Sequence, residues 1–363
     1  MLFFLMIAGA ASPAHAAAKK DNPQKPPKFP RKSVWLNVER PLSKKAFEEK
    51  ITLVYFWDYT SVNCLRELPI LKRWYQRYHP YSFEMIFIHA PEFDFAQEKS
   101  NVEQAVKRLQ IPFPVVLDNR FKLWDGYGAR SWPTKYLVNL KGVIVHAQVG
   151  EGGYLATEEK IREELKKLDG SIVLPIPVLE KEPAKFSIRE CGPMSAETYM
   201  GHKRAGWWGG EIANARGVLP DETMLFHDKG KRVERGFFAE GLWANREDYF
   251  EHARDTAGLK DYVGLLYLAN EVYAVMNQMD EGEVSRVYVT RDEQPVPPVY
   301  RGSDLHEDAS GGTYFLLQEP RLYYLIAKDE EEPHELKLWT QKKGTAFSSL
   351  SFSNHCLSEF DHL

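Results

Sequence analysis

The chain has 363 residues, 44% of them hydrophobic and 27% charged, which excludes a disordered, collagen-like or multi-span membrane protein. A formal net charge of −4 offers no basic surface for nucleic acid, and the length calls for about two domains. With 3 Cys, at least one thiol lacks a partner within the chain. Met1 to Gly9 is an apolar run too short to span a bilayer, and it leads to Ala14-His15-Ala16, an A-x-A cleavage pattern. Residues 1–16 therefore read as a signal peptide cut after Ala16, although no Lys or Arg precedes Lys19. Export places the mature chain in the periplasm or outside the cell, with no membrane span expected. Residues 17–32, rich in Pro and Lys, read as a disordered leader.

Over 33–169, period-2 and period-3.6 patterns alternate. Strands are predicted at Ile51–Trp57, Phe83–His89 and Phe113–Leu117, with helices over Cys64–Tyr78, Gln97–Leu109 and Glu158–Leu168. Lys141-Gly142 turns a hairpin between Thr134–Val138 and Val143–His146. The order β-α-β-α-β-β-α defines an α/β domain with a mixed sheet. A Pro-rich linker follows over 170–185. Across 186–358, short strands succeed one another without helices: Tyr262–Tyr267, Val272–Met276, Val284–Thr290, Tyr314–Leu317, Leu322–Ile326, Glu335–Thr340 and Phe347–Phe352. That succession predicts a β-sandwich of jelly-roll-like type.

The stretch that carries chemistry runs Phe56-Trp57-Asp58-Tyr59-Thr60-Ser61-Val62-Asn63-Cys64, from the end of a strand to the start of a helix. It resembles the Cys-x-x-Cys site of a thioredoxin fold, with Ser61 in the place of the first Cys. Pro69 falls five residues after Cys64, where thioredoxins carry a Pro within the helix, and Ser131-Trp132-Pro133-Thr134 matches the cis-proline loop. Trp57, Pro69 and Trp132 are expected beside the site, and Cys64, Ser61 and Pro133 within it. The expected fold is thus an α/β thioredoxin-like domain followed by an all-β sandwich.

Further segments narrow the resemblance. Tyr59–Cys64, His89-Ala-Pro-Glu-Phe93 and Gly150-Glu-Gly-Gly-Tyr154 resemble the soluble part of DipZ-type proteins, within the exported TlpA and redoxin group. Glu197-Thr-Tyr-Met-Gly201, Ala269–Tyr273, Glu319-Pro-Arg-Leu-Tyr323 and His334–Leu338 resemble the carbohydrate-binding-module-like sandwich that follows in that family. The resemblance implies thiol–disulfide exchange with protein thiols, no cofactor and no metal. It also raises a glycan as a ligand of the sandwich.

The departure from the family pattern bears on mechanism. The first Cys of such a motif is the attacking thiolate, activated by the helix N-terminus, and the second resolves the mixed disulfide. A hydroxyl without a general base does not replace it, so dithiol exchange is impaired unless Ser61 stands where the natural chain has Cys. Ser61 reads as a helix cap, and Cys64 as a buried thiol or a monothiol. Tyr55 occupies the position where thioredoxins often carry a buried Asp. Two functions follow: an oxidoreductase altered at Ser61, or a non-catalytic binding or assembly subunit of an envelope complex.

Elsewhere, Cys191 and Cys356 lie near opposite ends of the sandwich segment, either bridged or as two free thiols. His79, His89 and His146 read as structural, since the eleven His show no zinc spacing. Trp207-Trp208, Phe237-Phe238 and Trp243 are sugar-stacking candidates or core. Arg321 and His334-Glu335 read as structural ion pairs, and Asp329–Glu332 as a solvated turn.

Overall fold

The computed structural model describes residues 25–30, 32–42, 50–179, 193–204, 211–215, 220–233, 235–280, 282–328 and 332–354. Cys191, Cys356, Trp207, Trp208 and the signal segment lie outside the described residues. None of the described helices is long and apolar enough to cross a membrane.

The first domain orders its elements as β1 (Val34–Leu36), β2 (Ile51–Trp57), α1 (Val62–Tyr78), β3 (Phe83–His89), α2 (Lys99–Arg108), β4 (Val115–Leu117), α3 (Lys122–Tyr127), β5 (Thr134–Val138), β6 (Ile144–Val149) and α4 (Tyr154–Leu168). The sheet runs β1-β4-β3-β2-β5-β6, with β2, β3 and β4 parallel and the rest antiparallel. Every residue of β2 and β3 is buried, as continuous apolar runs in a central parallel pair require. Helix α1 turns Cys64, Leu68, Leu71, Trp74 and Tyr78 inward at three- and four-residue spacing. Its stripe covers one face of the sheet, packed with Trp57, Phe87, Tyr154 and Leu165. The opposite face buries Val54, Phe56, Ile86 and Tyr127, and Phe29 packs against it from the segment read as a leader. Leu174 and Val178, from the segment read as a linker, pack on the α1 side. Glu158 accepts the backbone N–H of Val178 at 2.6 Å.

The second domain contributes β7 (Thr198–Tyr199), β8 (Glu211–Ile212), β9 (Thr223–Phe226), β10 (Gly236–Asn245), β11 (Phe250–His252), β12 (Asp261–Tyr267) and β13 (Glu271–Gln278). After these come β14 (Ser285–Arg291), β15 (Gln294–Pro295), β16 (His306–Glu307), β17 (Thr313–Leu317), β18 (Arg321–Ile326), β19 (His334–Thr340) and β20 (Thr345–Ser353). They form one curled sheet, along β16-β17-β14-β19-β12-β10-β11-β20-β13-β18. The curl resembles a sandwich or half-barrel closed around an apolar core that includes Val263, Val287, Phe315, Leu338 and Phe347.

The corner is made by β10. Its first half pairs with β12 and its second half with β9 and β11. The switch falls at Gly241, whose φ of +107° and approach to Asp261, 2.1 Å from where a Cβ would sit, admit no larger residue. The expected jelly-roll-like sandwich is therefore present as a continuous sheet that folds over on itself.

Candidate functional site

Strand β2 ends at Trp57, and a four-residue loop delivers the chain to α1 at Val62. Asp58, itself fully buried, organises this loop. One carboxylate oxygen accepts the N–H and hydroxyl of Thr60 at 2.7 and 2.8 Å, and the other accepts the N–H of Glu92 at 2.5 Å. Burial raises its pKa while these hydrogen bonds oppose the rise.

Ser61 occupies the N-cap position with extended backbone, but its hydroxyl makes no side-chain cap, contrary to the expectation from sequence. The Cys64 and Leu65 N–H groups bond instead to the Ser61 carbonyl, at 3.0 and 3.1 Å. The hydroxyl lies close enough to the Cys64 thiol to favour its ionised form. Cys64 has no exposed surface. Burial pushes its thiol well above the ordinary range, outweighing the Asp58 backbone and the Ser61 hydroxyl, which favour the thiolate. Tyr55, in place of an acid, donates its hydroxyl to the Cys64 carbonyl at 3.2 Å. Trp132-Pro133 is a cis peptide, as the sequence predicts, and the Trp132 indole N–H bonds to the Ala90 carbonyl at 2.9 Å. Pro69 lies inside α1.

One turn beyond Cys64, Glu67 forms an ion pair with Lys135 of β5, and neither side chain has exposed surface. The same Glu67 oxygen accepts the Gly152 N–H at 3.0 Å. Sequence reasoning missed this pair, because Glu67 sits on a helix whose neighbours Arg66 and Leu68 give no sign of which charge points inward. Arg66 turns outward to Glu151, at 2.6 Å.

His89, at the end of β3, stacks on Tyr59 (5.5 Å, 16°) and meets Trp57 edge-on (5.6 Å, 80°). Neither ring nitrogen has a hydrogen-bond partner among the described residues. Burial lowers its pKa to about 3, so it is neutral at physiological pH. The sign follows directly. The unfolded chain takes up a proton near 6.5 while the folded His89 refuses it until about 3, so folding stability falls as pH drops through that window. We predict that His89→Phe gains about 2 kcal/mol relative to the parent between pH 8 and pH 5 in urea unfolding. Parallel pH profiles would show that His89 is not the group responsible.

The second domain rests on the site. Val62, Phe93, Tyr273, Val275 and Leu322 form one apolar cluster across the domain boundary. Beside it, Glu92 accepts the Tyr199 hydroxyl at 2.5 Å and Arg204 Nη1 at 3.1 Å. The Arg204 guanidinium also lies over the rings of Phe93 and Tyr199, at 4.9 and 4.8 Å. On the other flank Arg108 of α2 pairs with Glu319. Two segments singled out separately in the sequence, His89–Phe93 and Glu197–Gly201, thus meet through Glu92 and Tyr199. Between the domains, reaching Ser61, lies a cleft of about 770 Å³ whose lining includes Asn63, Trp132 and Arg130 from the first domain and Glu197 and Arg235 from the second.

Among the remaining candidates, Phe237, Phe238 and Trp243 are buried, which corrects any sugar-stacking role for them. The structure pairs Arg321 with Asp304 at 2.6 Å, His334 with Asp292 at 2.7 Å and Glu335 with Arg232 at 2.5 Å, as structural bridges. A row of rings that the sequence did not flag crosses adjacent strands: Tyr262 opposite Trp339, Trp339 opposite Tyr288, Tyr288 opposite Tyr314. All but Tyr262 are half-buried.

Fold and site together define a thioredoxin-like redoxin domain whose site lacks the usual pair of Cys, followed by a separate β-sheet domain. The comparisons agree in outline. The AhpC/TSA family model matches residues 24–147, and the model of a thioredoxin-like C-terminal domain matches residues 195–352. Protein DipZ of Mycobacterium bovis and of Mycobacterium tuberculosis is 29% identical over 280 residues, covering 76% of this chain. The chain spans 38% of the length of those relatives. Thiol-disulfide oxidoreductase ResA of Bacillus cereus is 30% identical over 124 residues, 34% of this chain and 66% of its own. A solved thiol:disulfide interchange protein of Chlorobium tepidum is 20% identical, covering 40% of this chain and 99% of its own, with a TM-score of 0.35.

Proposed function

We propose that this chain is an exported, DipZ-type thioredoxin-like protein that has lost dithiol exchange and works by holding a partner in the cell envelope. One observation carries the reading: the only thiol at the site among the described residues, Cys64, has no exposed surface, while Ser61 takes the attacker's place. A resolving thiol without an attacking one completes no catalytic cycle. The thioredoxin site, its cis-Pro133 loop and the sandwich then serve as contact surfaces. A bridge between Cys191 and Cys356 belongs to the same proposal, suited to an oxidising compartment.

Alkylation tests it. In the folded chain, Cys64 is expected to resist iodoacetamide at pH 7 to 8 and to label only in urea, as peptide mapping will report. Rapid labelling of native Cys64 at neutral pH would restore a monothiol exchange mechanism with protein thiols. A glycan remains a second proposed ligand, favoured by the half-buried row of Trp339, Tyr288 and Tyr314 rather than by the residues expected from sequence.

A further inference from the structure

In a thioredoxin-like fold the first turn of the site helix faces outward, and here that turn is covered by the chain's own second domain. Val62 is 7% exposed, packed with Phe93 against Tyr273, Val275 and Leu322. A broad, flat approach to Ser61 is thereby closed. What reaches Ser61 among the described residues is the cleft between the domains, whose volume falls within the range of ligand sites.

The charges in that cleft are unequally matched. Arg204 is committed to Glu92, at 3.1 Å, together with the Tyr199 hydroxyl. Glu197 accepts the Ser351 hydroxyl at 2.9 Å. Arg130, on the loop before cis-Pro133, and Arg235, at the entry to β10, line the same cleft from the two domains. Both are exposed, and neither has an ion-pair or hydrogen-bond partner among the described residues. Asn63 gives its side-chain oxygen to Arg66 at 2.6 Å and keeps its amide N–H groups for another acceptor. The positive end of the 17-residue helix α1 points to the same place. Trp132 supplies an apolar wall, its indole N–H already used by Ala90.

We infer that the interdomain cleft binds an extended peptide segment bearing carboxylates, gripped between Arg130 and Arg235. Two guanidinium groups, one from each domain, suit carboxylates spaced along a chain better than a single compact anion. The site asks nothing of Cys64, so it stands whether or not that thiol reacts.

Fluorescence anisotropy of the full chain tests this with labelled octapeptides alternating Gly with Glu, Gln or Lys. The Glu peptide is expected to bind at least about tenfold tighter than the Gln peptide at low salt, with the gap narrowing as salt rises. In the double variant Arg130→Ala/Arg235→Ala the gap should close while far-UV circular dichroism stays unchanged. Equal affinity for Glu and Gln peptides would overturn the proposal. So would a Glu preference that survives the double variant, or competition by free glutamate as strong per mole as by the peptide.

Discussion

Ser61→Cys is expected to raise the reduction of a small disulfide at least about a hundredfold over the parent chain. The geometry explains the size of the effect. Residue 61 sits at the N-terminus of a 17-residue helix, where the dipole lowers a thiol's pKa. It stands three residues, about one helical turn, before Cys64, so a second thiol would lie beside the first on the helix's opening turn. Trp132 lines the cleft that reaches Ser61. Cys64, inert as a lone buried thiol, would then act as the resolving group, a task that does not need exposure. A variant that folds as the parent does but gains no activity would locate the loss beyond the nucleophile, with Tyr55 in the acid's position the first suspect.

Lys135→Met should cost about 3–5 kcal/mol of stability, the usual penalty for leaving a buried charge unpaired. Glu67 keeps only the Gly152 N–H after that change. Burial raises the Glu67 pKa, so the orphaned carboxyl escapes part of the penalty by taking up a proton. Stability of the variant should therefore recover toward acid and worsen as pH rises through the raised value, the sign expected for an acid held above its unfolded pKa. The double variant Glu67→Gln/Lys135→Met should regain most of the loss. A single variant within 1 kcal/mol of the parent across pH 5 to 8 would mean that water or another cation reaches Glu67.

Much of the first domain was legible because its central strands leave no ambiguity. Ile51–Trp57, Phe83–His89 and Thr134–Val138 are uninterrupted β-forming runs, and their predicted limits match those observed. Helix α4 begins four residues earlier than predicted, at Tyr154, because Gly153 in the left-handed region sets the start and leaves no acidic or hydroxyl cap to read. Helix α3, a single turn and a half, gives too short a period to detect.

In the second domain the longest strand, β10, went unpredicted. Its Gly236, Glu240 and Gly241 break the alternation, and they are there because the strand changes partners midway. Part of the site was legible as positions: Ser61 and Trp132 line one cleft, and the peptide before Pro133 is cis. What no local pattern could reveal was the cover over them, since Glu92, Tyr199 and Arg204 come together from segments far apart in the chain.

Strand β20 carries a consequence for how the protein is made. It lies in the middle of the curled sheet, pairing with β11, β13 and β7, and all nine of its residues are buried. The first domain completes its sheet with β6, before any strand of the second domain is needed. Until Thr345–Ser353 has been synthesised, β13 presents an open strand edge along its whole length and β7 has nothing to pair with. Such an edge is a template for pairing with other chains. A chain cut short before Thr345 is therefore expected to aggregate through its second domain while keeping a complete first-domain sheet.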